Sequence, residues 1–460
     1  MAAVAARYIA AMDPTPIADR RAAGRAGRDC APLASHADPG PAPETRDPIE
    51  FLEEQAVSRQ DDLIPIRHGR MADNAFGFLR GAALVQAHDL AATPTSGLQV
   101  QLCGDAHIRN FGKFATPERN VVFSINDFDE TLPGPFEWDV KRLAASLHLV
   151  AQQNGLSPKK CDTAVLTTLR SYRERMTTYA AMSTLDLWYD HTGLEDVIRH
   201  FEPRDRDRVE RDAAKAARKD QRKAVARYTH DEHPHFVDDP PLVVHLEDMG
   251  HSLDDVVHML DDYHDSLRDD RRVLVDRYEL MDVAHRVGGV GSVGTRCWIA
   301  LMAASDRDED RLILQVKEAQ PSVLERYVGE STFDHPGRRV VAGQRLCQGA
   351  TDIFLGWCEN SWSGRTFYVR QLWDLKGRSD LTLMNARNLT YHGALCGWAL
   401  ARAHARTGDP VAISAYLGGQ DTFDRAVLGY AKAYVRTTEH DHQCLVDAVR
   451  DGRVQAVAGI

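Results

Sequence analysis

The first 112 residues contain no lysine; Lys113 is the first. A site that needs an ammonium group against a phosphate must therefore draw it from farther along the chain. The eight cysteines (Cys30, Cys103, Cys161, Cys297, Cys347, Cys358, Cys396, Cys444) are scattered and never form C-x-x-C. That excludes a zinc ribbon and a disulfide framework, and it fits the reduced thiols of a cytoplasmic protein. No uncharged stretch reaches the roughly 18–20 residues of a membrane-spanning helix. The N-terminus also lacks the apolar run, roughly 7–15 residues long, of a secretory leader. Positive charge is in deficit, with 56 Lys+Arg against 67 Asp+Glu for a net charge of −11. This balance argues against nucleic acid as a bulk partner. What remains is a globular composition, 43% hydrophobic and 27% charged, and 460 residues, enough for two or three domains or one bilobal enzyme.

Residues 1–48 are rich in Ala, Arg, Pro and Asp without a sustained period, and read as a mobile, loosely packed N-terminal arm. From Asp47 one short helix is expected, with Phe51, Leu52, Ala56 and Val57 at helical spacing. Alternation predicts strands over 98–103 and 121–125. After Gly134-Pro135 an amphipathic helix aligns Val140, Leu143, Leu147 and Val150 and stops at Asn154-Gly155. Two more helices are expected over 158–182 and 183–201. Residues 202–228 mix both signs of charge, which favours a solvated helical insert over a nucleic-acid stripe. His230, His233 and His235 invite a metal site, but Pro234 breaks their spacing and no further cluster completes it, so they read as loop histidines. Farther on, strands are expected over 296–303, 311–317 and 366–372. Helices are expected over 338–356 and 391–406, the latter with Tyr391, Ala394, Leu395, Trp398, Ala401 and Ala405 on one face.

The strongest chemical signal is Gly104-Asp105-Ala106-His107-Ile108-Arg109-Asn110, directly after a strand. A second strand then delivers Asn126-Asp127-Phe128-Asp129-Glu130. Phosphoryl transfer from ATP needs a carboxylate near the acceptor hydroxyl and oxygen ligands for the Mg²⁺ on the phosphates. An Asp followed five residues later by an Asn has the spacing of a kinase catalytic loop, and an Asp-Phe dipeptide leaving the next strand is where the metal-binding Asp belongs. The plain alternative is a polar turn followed by an acidic hairpin. A dinuclear-metal phosphoesterase would also use an Asp-x-His pair, but its downstream ligand motifs are missing.

The third signal is Gly289-Val290-Gly291-Ser292-Val293-Gly294. A dinucleotide fold would require a helix straight after these glycines. A strand-like TRCWIALMAA follows instead, and then a second strand carrying Lys317. A glycine loop between antiparallel strands, with a lysine on the third strand, suits the phosphate cover of a kinase-like N-lobe; a tight hairpin with a surface lysine is the alternative. A kinase carries its glycine loop before its catalytic loop, and this chain reverses that order. The lysine-free N-terminus supports a circular permutation, since the phosphate-facing Lys must come from downstream.

Several long blocks, among them RHGRM (67–71), FGFLRGAA (76–83), LQVQLCGDAHIRNFGKF (98–114), INDFDETLPGPFEWDVKRLAAS (125–146), LQVKEAQPSVLE (314–325) and CGWALARAHARTGD (396–409), resemble an uncharacterised bacterial family, domain of unknown function 2252. That family is itself similar to the protein-kinase-like and aminoglycoside-phosphotransferase-like group. The resemblance implies an ATP-dependent phosphotransferase. It makes Asp105 the general base or acceptor-orienting carboxylate, Asn110 a metal ligand, His107 a brace of the loop by hydrogen bonding, and Asp139 structural. Either Asp127 or Asp129 would bind metal, because Asp129 stands where that group has a Gly. Arg80 would meet a phosphate or brace the acidic loop.

The expectation is therefore an α+β, bilobal, protein-kinase-like fold with permuted element order. Residues 49–280 and 377–460 would form the helical lobe, and 281–376 the sheet lobe. Gly289, Gly291, Ser292, Gly294 and Lys317 would hold ATP, with Glu325 paired to Lys317. The partners would be a nucleotide and a small polar acceptor, with no nucleic acid and no membrane. A nucleotidylyltransferase and a nucleotide-sensing pseudoenzyme are the alternatives.

Overall fold

The computed structural model describes residues 15–193, 198, 206, 221–229, 235–246, 253–307, 310–360, 363–372 and 380–459. Most of the charged stretch 202–228, together with His230 and His233, lies outside the described residues.

The chain is α+β. Within the N-terminal stretch read as a loose arm, residues 15–48 are docked. Helix α1 (Ile17–Cys30) has no apolar stripe, and small residues seat it instead. A Cβ on Gly24 would come within 2.0 Å of the Ala412 carbonyl oxygen, so two helix backbones touch directly. Arg20 grips Asp409 with two hydrogen bonds of 2.8 and 2.7 Å. Composition alone missed this helix because its anchors are glycines and charges, which carry no hydrophobic period. Helix α2 (Pro48–Ala56) starts where expected, capped by the Asp47 side chain, and buries Leu52. Val57 is 87% exposed, outside the apolar face assigned to it. Three short helices follow, α3 (Ile64–Ala72), α4 (Ala75–Gly81) and α5 (Ala83–Ala91).

Strands β1 (Gln99–Leu102) and β4 (Leu132–Pro135) pair antiparallel, as do β2 (Phe111–Ala115) and β3 (Val121–Ile125). Helix α6 (Phe136–Gln153) is buried along most of its length. Helix α7 (Pro158–Ala181) matches the expected span, whereas α8 (Thr184–Tyr189) is far shorter than 183–201.

Helix α9 (Gln221–Tyr228) leads to β5 (Val243–His245), α10 (Leu253–Ser266), α11 (Asp269–Val275) and the strands β6 (Glu279–Arg286), β7 (Cys297–Ala303) and β8 (Arg311–Ala319). After α12 (Glu325–Val328), helix α13 runs from Pro336 to Cys347, not to 356: Gln348 is extended, and β9 (Gly356–Asn360) begins where helix was expected. With β10 (Arg365–Gln371) these strands form one antiparallel sheet in the order β5-β6-β7-β8-β10-β9. Both faces are covered. Met259 and Tyr263 of α10 pack on Ala300, Val316 and Val369. Ala224, Val225 and Tyr228 of α9 pack on Ile299, Leu301 and Ile313. Each large apolar side chain so buried contributes about 1.5–3 kcal/mol.

Helices α14 (Ala386–Thr407), α15 (Pro410–Leu417) and α16 (Thr422–Arg450) complete a helical body around α6 and α7. The expected face of α14 is the buried one, with Ala394, Leu395, Trp398, Ala401 and Ala405 in the core and Tyr391 against it. Its Gly397 lets the helix approach α7 so closely that a Cβ would sit 2.3 Å from the Thr168 carbonyl oxygen. None of the eight cysteines forms a disulfide. No helix among the described residues is long and apolar enough to cross a membrane.

Candidate functional site

The two acidic loops meet because the strands that carry them pair. In the β2–β3 ladder Phe111 faces Ile125, and beyond it the Asn126 N–H donates to the Asn110 carbonyl at 2.8 Å. Asn110 and Asp127 are thus brought to one end of one ribbon. Gly104 makes the approach possible: its φ is +83°, and a Cβ there would lie 2.2 Å from the Glu130 carbonyl oxygen.

Helix α6 then fixes the first loop from below, through residues on one helical face. The Asp139 carboxylate accepts from the N–H groups of Cys103 (2.8 Å) and Gly104 (3.1 Å), which gives it the structural role implied for it. Ser146 Oγ accepts from the Ile108 N–H at 2.9 Å. Arg142 Nε donates to Asp105 Oδ1 at 2.6 Å and its Nη2 to the Leu79 carbonyl at 2.8 Å. Burial pushes the Asp105 carboxyl above its ordinary range, while Arg142 and Arg80 pull the other way. Asn110 Nδ2 donates to the Asp105 carbonyl at 2.8 Å, which leaves its Oδ1 as the atom able to ligate a cation.

His107 was expected to brace the loop by hydrogen bonding, and its ring does not do so. Nδ1 has no partner, and Nε2 lies 3.7 Å from Asp105 Oδ2. The ring is held by burial and by an edge contact with Phe76. Burial, with Arg80 and Arg142 nearby, holds its pKa well below the usual histidine range, so the ring is neutral.

The sheet supplies the opposite wall. Strand alternation puts Gln315 and Lys317 of β8 on one face, opposite Arg370 and Tyr368 of β10 in register. Lys317, 4% exposed, donates to Asp129 Oδ2 at 2.6 Å, and the Tyr368 hydroxyl donates to Asp129 Oδ1 at 2.7 Å. Burial disfavours the ammonium, but Asp127, Asp129 and Tyr368 outweigh it and raise its pKa well above the ordinary lysine value. Burial likewise works against the Asp127 carboxylate, yet Lys317 and Arg370 hold its pKa at about 2. Glu325 is not the partner of Lys317. Its Oε1 accepts from the Ser322 N–H at 3.1 Å and lies 4.0 Å from Arg339 Nε. The helix that carries it is a single turn, aimed at the loop after β8.

The glycine segment links β6 to β7, the expected position between antiparallel strands, and contains a 3₁₀ turn at Val290–Ser292. Gly289, Gly291 and Ser292 line the same cavity as Asp105, Asp127 and Lys317. Gly294 does not: with φ +87° it is a turn residue packed on the Arg59 side chain. Arg59 Nη2 donates to the Gly291 carbonyl at 3.0 Å and Arg70 Nη1 to the Gly288 carbonyl at 2.6 Å. The loop is therefore clamped by arginines from the lysine-free N-terminal segment.

The cavity has a volume of about 650 Å³. It gathers Asp105, His107, Asn110, Asp127, Asp129 and Lys317 in one place. A second cavity, of about 600 Å³ on the far face of the sheet, is lined by no carboxylate among the described residues. Sequence reasoning missed Arg59, Arg67, Gln315 and Arg370 as lining residues. For Arg370 a signal existed, since a cation two residues from Tyr368 on a strand shares its face.

The donor set suits a hard cation shared with phosphates. Asp127 and Asn110 would supply two oxygens, as is usual where Mg²⁺ keeps waters and phosphate as its other ligands. Among the described residues no three His, Cys, Asp or Glu side chains come together as a protein-only metal cage, so the dinuclear alternative finds no ligand set.

No curated protein and no solved structure matches this chain. A family model does match, over residues 59–448, from the arginine that clamps the glycine loop to the last helix of the body. On that match the chain belongs to the family described as uncharacterized protein conserved in bacteria (DUF2252).

Proposed function

We propose that the cavity is the site of an ATP- and Mg²⁺-dependent phosphotransferase, with a bilobal, protein-kinase-like fold in which the catalytic loop precedes the glycine loop in the chain. The observation that carries this reading is the convergence of Asp105, Asn110, Asp127, Lys317 and the 289–292 loop on one cavity of about 650 Å³. Lys317 and the glycine loop would hold the nucleotide phosphates, and Asp127 with Asn110 the Mg²⁺ that neutralises them. Asp105 would take up the proton of the acceptor hydroxyl. Its Oδ1 is committed to Arg142, so Oδ2 is the oxygen that faces the acceptor. A carboxyl whose pKa is raised by burial is better matched to that transfer than a solvated one. Asp129 is claimed on both oxygens by Lys317 and Tyr368, which favours Asp127 as the metal ligand.

The test is thermal melting with and without Mg-ATP. A ligand that binds only the folded state at about 100 times its Kd stabilises it by about 2.7 kcal/mol, so the melting temperature should rise. An unchanged transition at saturating Mg-ATP or Mn-ATP rejects the reading. Mass analysis of the product separates phosphoryl from nucleotidyl transfer.

A further inference from the structure

The cavity is more positive than a nucleotide alone requires. Among the described residues seven arginines and Lys317 line it against four carboxylates, a formal excess of four positive charges. A nucleoside triphosphate with one Mg²⁺ brings only about two negative charges, which leaves about two uncompensated in a partly desolvated space.

The excess is not spread evenly. Lys317 and Arg370 belong to the end where Asp127 and Asp129 lie. Arg67 and Arg80 line the cavity from helices α3 and α4, whereas Arg59, bonded to the glycine loop, feels Glu130, Glu318 and Asp129. Arg67 is 1% exposed. Its Nη2 donates to Gln55 Oε1 (3.0 Å) and to the Gly81 carbonyl (2.8 Å), while Nη1 and Nε have no partner. Beside its burial, the charge acting on it is another cation, Arg59. An interior guanidinium without a carboxylate is costly unless an anion arrives. Arg80, next in the chain to the Gly81 that Arg67 bonds, lines the same cavity. Its guanidinium stands 3.5 Å from where a Cβ of Gly289 would be, and its charge acts on both Asp105 and His107. A dianion bound there would have its neighbouring hydroxyl at the proposed base.

We propose, resting on the phosphotransferase reading, that the acceptor is itself a phosphate-bearing small molecule, whose phosphate is seated on Arg67 and Arg80 while its free hydroxyl faces Asp105. Two guanidinium charges lining one cavity suit a phosphate better than a single carboxylate. In the transfer, the acceptor oxygen forms a bond to the γ-phosphorus as the bond from that phosphorus to the β,γ-bridging oxygen breaks. ADP leaves with that electron pair, and the hydroxyl proton passes to Asp105. The product carries two phosphates.

The test is a calorimetric titration of inorganic phosphate into the full chain saturated with Mg²⁺ and a non-hydrolysable ATP analogue, beside Arg67→Gln and Arg80→Gln. Phosphate should bind the loaded wild type, and its affinity should fall about tenfold or more in each variant, the loss expected for one charged hydrogen-bonding partner. Should Arg67→Gln fail to melt cooperatively, the half-buried Arg80 carries the test alone. Analogue binding without any phosphate binding, or phosphate affinity equal in wild type and variants, overturns the proposal and leaves the phosphotransferase reading standing. Failure of the analogue itself to bind removes that reading and the acceptor assignment with it.

Discussion

Lys317 and Asp129, 188 residues apart in the chain, meet at 2.6 Å, and Tyr368 closes the other oxygen of the same carboxylate at 2.7 Å. This triad divides the labour between two neighbouring aspartates. Asp129 ties the sheet to the acidic loop, while Asp127 feels Lys317 and Arg370 through their charge. The sheet wall and the loop wall are thus joined by this ion pair, beside the bond from Arg370 Nη1 to the Asn126 carbonyl at 3.1 Å.

Replacing the lysine should expose what the pair contributes. Lys317→Met leaves the Asp127 and Asp129 carboxylates facing each other without their main cation. For a fully buried pair the loss would be about 3–5 kcal/mol. Asp129 is about one-third exposed, so a smaller loss of about 1–3 kcal/mol is expected. Urea unfolding of both proteins measures it. A variant as stable as wild type would mean that the pair is incidental to the fold.

Asp105 and Asp127 should fail in different ways. Asp105→Asn should abolish turnover and leave nucleotide binding nearly intact, because its charge is needed as the acceptor proton moves. Asp127→Asn should weaken Mg-ATP binding itself. A loss of several kcal/mol in barrier at Asp105 is several powers of ten in rate, at about 1.4 kcal/mol for each. Calorimetry with Mg-ATP, run beside an ATPase assay, separates the two. Wild-type turnover by Asp105→Asn would remove it from catalysis. Normal binding by Asp127→Asn with loss in Asp129→Asn would move the metal role two residues along.

Acid should weaken the wild type more steeply than Asp127→Asn. The folded Asp127 carboxyl is held at about 2, below its unfolded value of roughly 3.9. Its contribution to stability is therefore complete above about pH 4 and is lost as the pH falls from there toward 2. The stability gap between wild type and variant, from urea titrations at stepped pH, should narrow across that window. A gap that stays constant would show that Lys317 and Arg370 do not hold the charge.

What the sequence made legible was local. GDAHIRN and NDFDE stood out because each leaves a strand, and a two-strand ribbon has no choice but to bring its ends together. The amphipathic face of α6 was visible, and with it the position of Asp139. Lys317 was found by elimination and by strand order. The partner of Lys317 was not legible, because Asp129 reaches it only once the sheet lies against the helical body, and no spacing encodes that. Glu325 was the wrong choice for the same reason: its distance in sequence is short, but the turn that carries it faces Ser322. Of the cavity's arginines only Arg80 was legible, singled out within FGFLRG. Arg67 sits on a short helix whose hydrophobic period is too brief to tell inside from outside, and Arg59 lies in the bend after α2. Helix α1 was missed because its buried face is Gly24 and Gly27.

Two glycines should separate folding from binding. At Gly104 a Cβ would be forced to within 2.2 Å of the Glu130 carbonyl oxygen, and φ is +83°, so neither space nor backbone conformation admits it. Gly104→Ala should cost more than about 2 kcal/mol, since strain at a left-handed position adds to a backbone clash that cannot rotate away. At Gly289 φ is −74°, and a Cβ would meet only the end of the Arg80 side chain, at 3.5 Å. Gly289→Ala should therefore fold with stability within about 1 kcal/mol of wild type. Its methyl group would nonetheless stand on the loop backbone, where the nucleotide phosphates must approach. Mg-ATP affinity should fall several-fold in Gly289→Ala while its melting transition without ligand stays near that of wild type. If Gly289→Ala binds Mg-ATP as tightly as wild type, the loop does not cover the phosphates, and the nucleotide must lie elsewhere in the cavity.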